Sequence, residues 1–224
     1  MSFFLNLKTN TDKCIEGCTL FNDTTKFSYW ENKEATNDEK DVITFLKNDD
    51  LFNNKRILHV GIGNSYIAKN LKNFKKIDGI SLSKNELDLA KKNNIDNYEV
   101  FFQNKYCQNN ILSKILNFYD IIIDVNIKSF ACCDKAFVNL FKIYSKILNN
   151  NGIIITSKAG MKWSRQIKPV LSFSFKKMFY KRLKEYDGPQ SNILTIEECA
   201  KISKENNLSI DHNTDHILCF KKNE

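Results

Sequence analysis

The sequence predicts an α/β protein with a doubly wound, mostly parallel sheet, and three features carry this prediction. Five short apolar runs alternate with stretches in which apolar residues recur at helical spacing. A Gly-x-Gly turn at residues 61–63 follows the first apolar run. Two final strand-like runs lie so close together that they must pair antiparallel or not at all. Such alternation implies parallel strands joined by right-handed crossovers, with an antiparallel pair at the C-terminus.

The N-terminal half of this pattern contains three predicted strands. Asn37 is expected to cap a helix over residues 38–48, and the apolar run at 56–60 predicts the first strand. Residues 65–74 have helical spacing, residues 76–82 predict the second strand, 84–93 a helix, and 98–102 the third strand.

The C-terminal half repeats the alternation. A short helix is predicted at 111–116, and the continuous apolar run at 119–125 predicts a strand at the sheet centre. Residues 134–148 form one apolar stripe, which Asn-Asn-Asn-Gly at 149–152 is expected to end before a fifth strand at 153–156. A capping box from Thr195 to Glu198 opens a helix over 195–206, and the final strands are predicted at 208–211 and 217–221.

Length and composition fit one domain with a small appendage. The 224 residues are 42% hydrophobic and 27% charged, a composition typical of globular proteins that argues against disorder along the whole chain. We interpret residues 1–37, with an aromatic cluster at Phe27, Tyr29 and Trp30, as an N-terminal extension or cap. Residues 38–224 are the predicted main domain, with a basic insertion at about 158–190.

The cellular compartment is predicted from what the sequence lacks. No uncharged apolar run reaches about 18 residues, so no transmembrane helix is expected, and the N-terminus does not have the layout of a signal peptide. The seven cysteines are an odd number, which favours reduced thiols and a cytoplasmic protein. Their spacings match no zinc pattern, so no metal is expected.

The net charge of +8 is concentrated in one segment. Nine of the 34 basic residues lie between Lys158 and Lys184 without an acidic residue, which leaves 25 basic and 26 acidic residues elsewhere. Aromatic residues alternate with these charges. The segment could close over a small anionic acceptor, follow nucleic-acid phosphates, lie on an anionic membrane surface, or be only a solvated helix face.

The Gly-x-Gly turn is the sharpest local signal. Gly61 and Gly63 permit a tight turn and a close approach of ligand to a helix N-terminus. The third glycine of the dinucleotide fingerprint would fall at Tyr66, which argues against a pyrophosphate-binding NAD or FAD site.

Four motifs together resemble the class I S-adenosylmethionine (SAM)-dependent methyltransferases. They are ILHVGIGNS, IDGISLSKNELDLA, FYDIIIDV and ILNNNGIIIT, and the resemblance covers roughly residues 38–224. It implies a seven-stranded sheet, SAM as cofactor, and a first turn against the methionine part of that cofactor. The residues matched to this turn are Gly61, Gly63, Asn64 and Ser65.

Several positions depart from the family pattern. His59 stands where most members have an acid, and Ser81, followed by Leu82, stands where an acid usually holds the ribose hydroxyls. A related subgroup has Gln where this chain has Glu86, so Glu86 either accepts from the ribose or is an exposed residue in the first turn of its helix. Ser83 is expected to cap that helix.

The positions after the third and fourth strands complete the candidate site. The family's adenine-binding acid corresponds to Asn104 or Lys105, and only Asn104 can accept a hydrogen bond from the adenine amino group. Asp124 ends the fourth strand, where it could orient substrate, act as a base, or be a buried carboxylate held by backbone N–H groups.

The function that this resemblance implies is methyl transfer from SAM. Such enzymes work mostly by positioning the two reactants, so the sequence identifies no catalytic residue. We expect a small, anionic acceptor such as a sugar or a nucleotide-linked metabolite. The alternatives are an RNA or DNA methyltransferase and a non-catalytic binding protein on the same fold, since three cofactor acids are replaced.

Overall fold

The computed structural model describes residues 34–48, 50–106, 118–129, 134–162 and 193–224. The described helices are α1 (Asn37–Asn48), α2 (Tyr66–Asn70), α3 (Lys84–Lys92), α4 (Asp134–Ile147), α5 (Lys158–Lys162) and α6 (Ile196–Glu205). The strands are β1 (Arg56–Val60), β2 (Lys76–Ser81), β3 (Tyr98–Phe102), β4 (Tyr119–Asp124), β5 (Leu148–Ser157), β6 (Leu208–Asn213) and β7 (Ile217–Lys222).

The seven strands form one sheet in the order β3-β2-β1-β4-β5-β7-β6. The pairs β3·β2, β2·β1, β1·β4 and β4·β5 are parallel, whereas β7 runs antiparallel to both β5 and β6. This confirms the predicted doubly wound sheet with its C-terminal antiparallel pair. The strand order reverses between β1 and β4, which is where folds of this type place their ligand crevice.

Apolar side chains cover both faces of the sheet. On one face Leu58 of β1 belongs to a buried cluster with Leu140 and Phe141 of α4. On the other face Ile57 belongs to a cluster with Val42 of α1. Strands buried on both faces are continuous apolar runs, which is why the centre of the sheet was readable in the sequence.

The boundaries of α1 and α2 differ from the predictions. Helix α2 stops at Asn70 because Leu71 is extended, with φ −95° and ψ 145°. Helix α1 begins at Asn37 itself, and the carboxylate of Glu39 accepts from the backbone N–H of Thr36 at 3.0 Å.

The Asn-Asn-Asn-Gly segment does not separate α4 from β5 as expected. Helix α4 ends at Ile147 and β5 begins at Leu148, so the segment lies inside the strand, where the register against β4 shifts. The left-handed residue is Asn151, with φ 61°. Gly152 is required for another reason, because a Cβ there would lie 2.8 Å from Cγ of Leu148.

Other predictions agree or fall outside the described residues. The capping box from Thr195 to Glu198 is present at the start of α6. The helix predicted at 111–116, the aromatic cluster at 27–30 and the basic segment beyond residue 162 lie outside the described residues.

The described ranges contain neither a membrane-spanning helix nor a candidate metal centre. No described helix combines the length and apolarity needed to cross a bilayer. Within the same ranges, no three His, Cys, Asp or Glu side chains are grouped so that they could hold a metal ion. Cys199 and Cys219 are buried free thiols.

Candidate cofactor site at the carboxyl ends of the strands

The turn after β1, which we call the glycine turn (residues 61–65), has the backbone that its glycines predict. Gly61 and Gly63 both have positive φ, at 72° and 51°. The Gly61 N–H donates to the carbonyl of Ile80 at 2.8 Å, which fixes the turn against β2. An ideal Cβ on Gly61 would meet no atom of the described residues within 4 Å. Among the described residues, none fills the space beside Gly61 that a side chain would occupy, so the described part of the chain leaves this space open to a ligand.

Asn64 and Ser65 complete the turn through contacts with the protein itself. The side-chain oxygen of Asn64 accepts from the N–H of Tyr66 at 3.0 Å at the start of α2. Ser65 is fully buried with φ 63°, and its hydroxyl lies 3.3 Å from the hydroxyl of Tyr98. Both side chains hold the glycine turn in shape, and their contact with a cofactor stays a prediction.

Ser81 and Glu86 form a buried pair at the end of β2. The Ser81 hydroxyl donates to a carboxylate oxygen of Glu86 at 2.6 Å and accepts from the N–H of Ser83 at 3.0 Å. The N–H of Gly63 also donates to the Glu86 carboxylate. Glu86 is therefore not an exposed helix residue, because it joins the end of β2 to the glycine turn. Leu82, between these groups, is partly exposed.

The cap of α3 is the one that the sequence predicts. The Ser83 hydroxyl accepts from the N–H of Glu86 at 3.4 Å. This bond fixes the first turn of α3 and directs the Glu86 side chain toward the strand ends.

Burial raises the pKa of Glu86 to about 7, against the opposing hydrogen bonds from Ser81 and Gly63. The charge of Glu39 on α1 raises the pKa further. Burial also raises the pKa of Glu39, whose carboxylate accepts from Thr36. The site thus holds a carboxyl group that titrates close to neutral pH.

His59 lies at the centre of the sheet, paired with Gly79 of β2 and Ile123 of β4. Its side chain is fully buried, and desolvation lowers its pKa to about 4, so the imidazole is neutral at pH 7. Neither ring nitrogen has a hydrogen-bond partner in the described part of the chain. The family's acid is thus replaced by an uncharged group.

The loop after β3 is folded by its own amide groups. The side-chain oxygen of Asn104, the predicted adenine contact, accepts from the N–H of Tyr106 at 2.9 Å. The Gln103 side chain donates to the backbone carbonyl of Asn104 at 2.9 Å, and the Gln103 N–H donates to the Ser81 carbonyl at 3.0 Å. Asn104 is thereby held near the end of β2, and its contact with adenine stays a prediction.

In the described part of the chain, Asp124 is held by the side chains of Lys105 and Tyr144, whereas backbone N–H groups were the expected partners. Lys105 Nζ lies 3.1 and 2.8 Å from its two carboxylate oxygens, and the Tyr144 hydroxyl donates to it at 2.7 Å. Lys105 and Asp124 are 7% and 1% exposed, so the ion pair is buried. Sequence reasoning treated Lys105 only as a group that cannot accept from adenine. The signal that it missed is a lysine just after β3 and an acid at the end of β4, since parallel strands end at the same edge of the sheet.

Comparison with known proteins supports the fold. No protein-family model and no curated protein matches the chain in sequence. Magnesium protoporphyrin IX methyltransferase from Synechocystis PCC 6803 with bound SAM has a similar structure, with a TM-score of 0.56, 14% identity, and coverage of 90% of this chain and 93% of that chain. The N-methyltransferase NodS from Bradyrhizobium japonicum WM9 in complex with S-adenosylhomocysteine (SAH) matches with a TM-score of 0.55, 11% identity and coverage of 85% and 90%.

The strand order and these structural neighbours define the fold as that of the class I SAM-dependent methyltransferases. At this level of identity the likeness establishes the architecture and not the reaction.

Proposed function

We propose that this chain is a SAM-dependent methyltransferase that acts on a small, anionic acceptor. The observation that carries the proposal is the pairing of an open glycine turn with a buried carboxylate at the adjacent strand end. The space before Gly61 could admit the methionine part of SAM, and Glu86, in the first turn of the helix that follows β2, is an acceptor for ribose hydroxyls. Structural neighbours bound to SAM and SAH support this cofactor.

The side chains of the candidate site fit SAM at some positions and differ from the family pattern at others. Glu86 of α3 supplies a carboxylate where the family usually has one at the position of Ser81, and the two side chains are hydrogen-bonded at 2.6 Å. His59 is neutral and fully buried, so it brings no charge to the site where most family members have an acid. The expected contacts are therefore the glycine turn with the methionine part, Glu86 with the ribose, and the loop at Asn104 with the adenine.

When bound, SAM supplies an electrophilic methyl group on a sulfonium ion. The chain's task is then to hold the acceptor nucleophile in line with that methyl group and to exclude water, which contributes to rate without a dedicated catalytic side chain. Asp124 accepts from Lys105 and Tyr144, so its lone pairs are engaged and we do not assign it the role of base.

The acceptor class is proposed from charge. Nine basic residues between Lys158 and Lys184 stand against a nearly neutral remainder, so an anionic partner should be drawn to this segment. Only Arg165 and Arg182 in it offer the planar group that binds phosphate through two parallel hydrogen bonds. A sugar phosphate or nucleotide-linked metabolite would engage two or three of these charges, whereas a nucleic acid would engage many.

Transfer of a labelled methyl group from SAM to a panel of sugar phosphates and nucleotide-linked sugars tests the activity. The small acceptor would be supported if methyl transfer occurs and if Arg165→Ala or Arg182→Ala raises the KM for the acceptor. SAM binding without transfer to any anionic metabolite or RNA would favour the non-catalytic binding protein.

Salt dependence separates the two acceptor classes. The affinity for RNA is measured between low and physiological salt, where each phosphate contact contributes a log–log slope of about −0.7 to −0.9. Micromolar binding that persists at physiological salt, with a slope that corresponds to about five phosphate contacts or more, would favour a nucleic acid over the small acceptor.

A further inference from the structure

The loop after β3 and the loop after β4 are joined by one buried ammonium group. Lys105 Nζ contacts both oxygens of Asp124 and also the carbonyls of Asn126 at 2.9 Å and Ile127 at 3.1 Å. All of these acceptors lie at the end of β4 or just beyond it. The three hydrogens of an ammonium group are therefore all used within this cluster.

The geometry makes this contact a bridge across the cofactor side of the sheet. Strands β3 and β4 are separated by β2 and β1, and three gaps of about 4.8 Å give about 14 Å between their ends. The loop that begins at Gln103 crosses this distance. It is bound to the Ser81 carbonyl at one end and to the residues after β4 at the other. The bridge thus passes the strand-order reversal between β1 and β4, where the fold places its ligand.

A second contact follows the same path. The hydroxyl of Tyr106 donates to the carbonyl of Ser129 at 2.8 Å and lies 3.3 Å from the carbonyl of Ile127. Two successive residues of one loop therefore bind the backbone of the other. Such bonds to backbone carbonyls fix the relative position of the two loops and not only the packing of side chains.

We propose that Lys105 is a positioning residue for the cofactor. Its ion pair with Asp124 sets the distance between the loop after β3, which carries Asn104, and the loop after β4. This distance in turn sets the width of the space for the adenosine part of SAM. This inference rests on the proposed function. It assigns Lys105 and Asp124 to the shape of the site, and it explains why the chain keeps two charges buried at the carboxyl end of β4.

If Lys105 and Asp124 only stabilised the fold, changing them would lower stability and leave the cofactor affinity of the folded protein unchanged. Lys105→Met leaves the Asp124 carboxylate buried without its counter-charge, and unfolding would then obscure any effect on binding. The double variant Lys105→Met/Asp124→Asn removes both charges with little change in volume, so it is the variant to test. Tyr144→Phe is the matched control, because its hydroxyl donates to the same carboxylate from α4 and from neither loop.

The experiment is calorimetric titration of wild type, the double variant and Tyr144→Phe with SAH, together with thermal melts. We expect the folded double variant to bind SAH about tenfold more weakly or worse, and Tyr144→Phe to bind as wild type does even where its Tm falls. Equal affinity in the double variant and wild type would overturn the positioning role while leaving the proposed function intact. A wild-type protein that does not bind SAH would overturn both.

Discussion

The hydroxyl of Ser81 donates to the carboxylate of Glu86 at 2.6 Å, and this bond joins two positions that the family treats as alternatives. The ribose acceptor usually stands at the end of β2, whereas here a serine at that place orients an acid from the first turn of α3. The same carboxylate accepts from the N–H of Gly63. One buried acid therefore contacts both the end of β2 and the glycine turn.

Glu86→Ala is expected to weaken SAH binding by about 1.5–3 kcal/mol, the range for a hydrogen bond to a charged group. Calorimetry with SAH measures this change. Ser81→Ala is the matched variant: it removes the hydroxyl that orients Glu86 and leaves the carboxylate, so a smaller loss is expected. Equal affinity in Glu86→Ala and wild type would mean that the ribose is held elsewhere.

The pKa of about 7 for Glu86 predicts that cofactor affinity depends on pH. An ionised carboxylate can accept a hydrogen bond from each of the two ribose hydroxyls. The protonated form is itself a donor and has fewer sites left to accept from them. If only the ionised form binds, SAH affinity should fall about tenfold from pH 8 to pH 6. The slope should disappear in Glu86→Gln, and a wild-type affinity that does not change with pH would contradict the assignment.

His59 should make the protein less stable as the pH falls. Its folded pKa is lowered to about 4 from an ordinary 6.5, so between these values the unfolded chain binds a proton that the folded chain does not. From pH 7 to pH 5 this costs about 2 kcal/mol of the free energy of unfolding.

Urea denaturation of wild type and His59→Leu at both pH values measures the effect of His59. The raised pKa of Glu86 acts with the opposite sign in this range, since the folded chain holds that proton longer, but it is common to both proteins and cancels in the difference. A stability difference between the two proteins that is the same at pH 7 and pH 5 would show that His59 is not buried as described.

Gly63→Val should abolish cofactor binding and leave a folded protein. The branched side chain is disfavoured at φ 51° by about 1–3 kcal/mol and would stand in the glycine turn. Asn73→Val is the control, because Asn73 is an exposed left-handed residue, with φ 64°, away from the turn. Both variants should lose stability, and only Gly63→Val should lose SAH affinity. Full affinity in Gly63→Val would remove the cofactor from this turn.

Much of the sheet was predictable because its signals are local. The run at β4 is apolar throughout, so it reads as a central strand, and the Ser83 and Thr195 caps follow from side chains within three residues of the N–H that they accept from. The Asn-Asn-Asn-Gly segment was predicted wrongly for a related reason. Its composition is typical of a helix end, whereas the pairing of Leu148 with Tyr119 extends the strand through it.

The site was harder to predict because its contacts join distant segments. Lys105 and Asp124 are 19 residues apart in the chain, and no spacing rule connects them. Their contact depends on the strand order, which places β2 and β1 between their strands. Likewise the raised pKa of Glu86 reflects burial and the charge of Glu39 on α1, which its position in α3 does not reveal.

Calorimetric titration of the purified wild-type protein with SAM, SAH and NAD tests the central claim most directly. An open glycine turn beside a buried acceptor for ribose predicts saturable one-to-one binding of SAM and SAH, while the absence of a third glycine at Tyr66 predicts no binding of NAD. Binding of NAD in place of SAM, or no heat with either SAM or SAH up to millimolar concentration, would contradict a methyltransferase cofactor site.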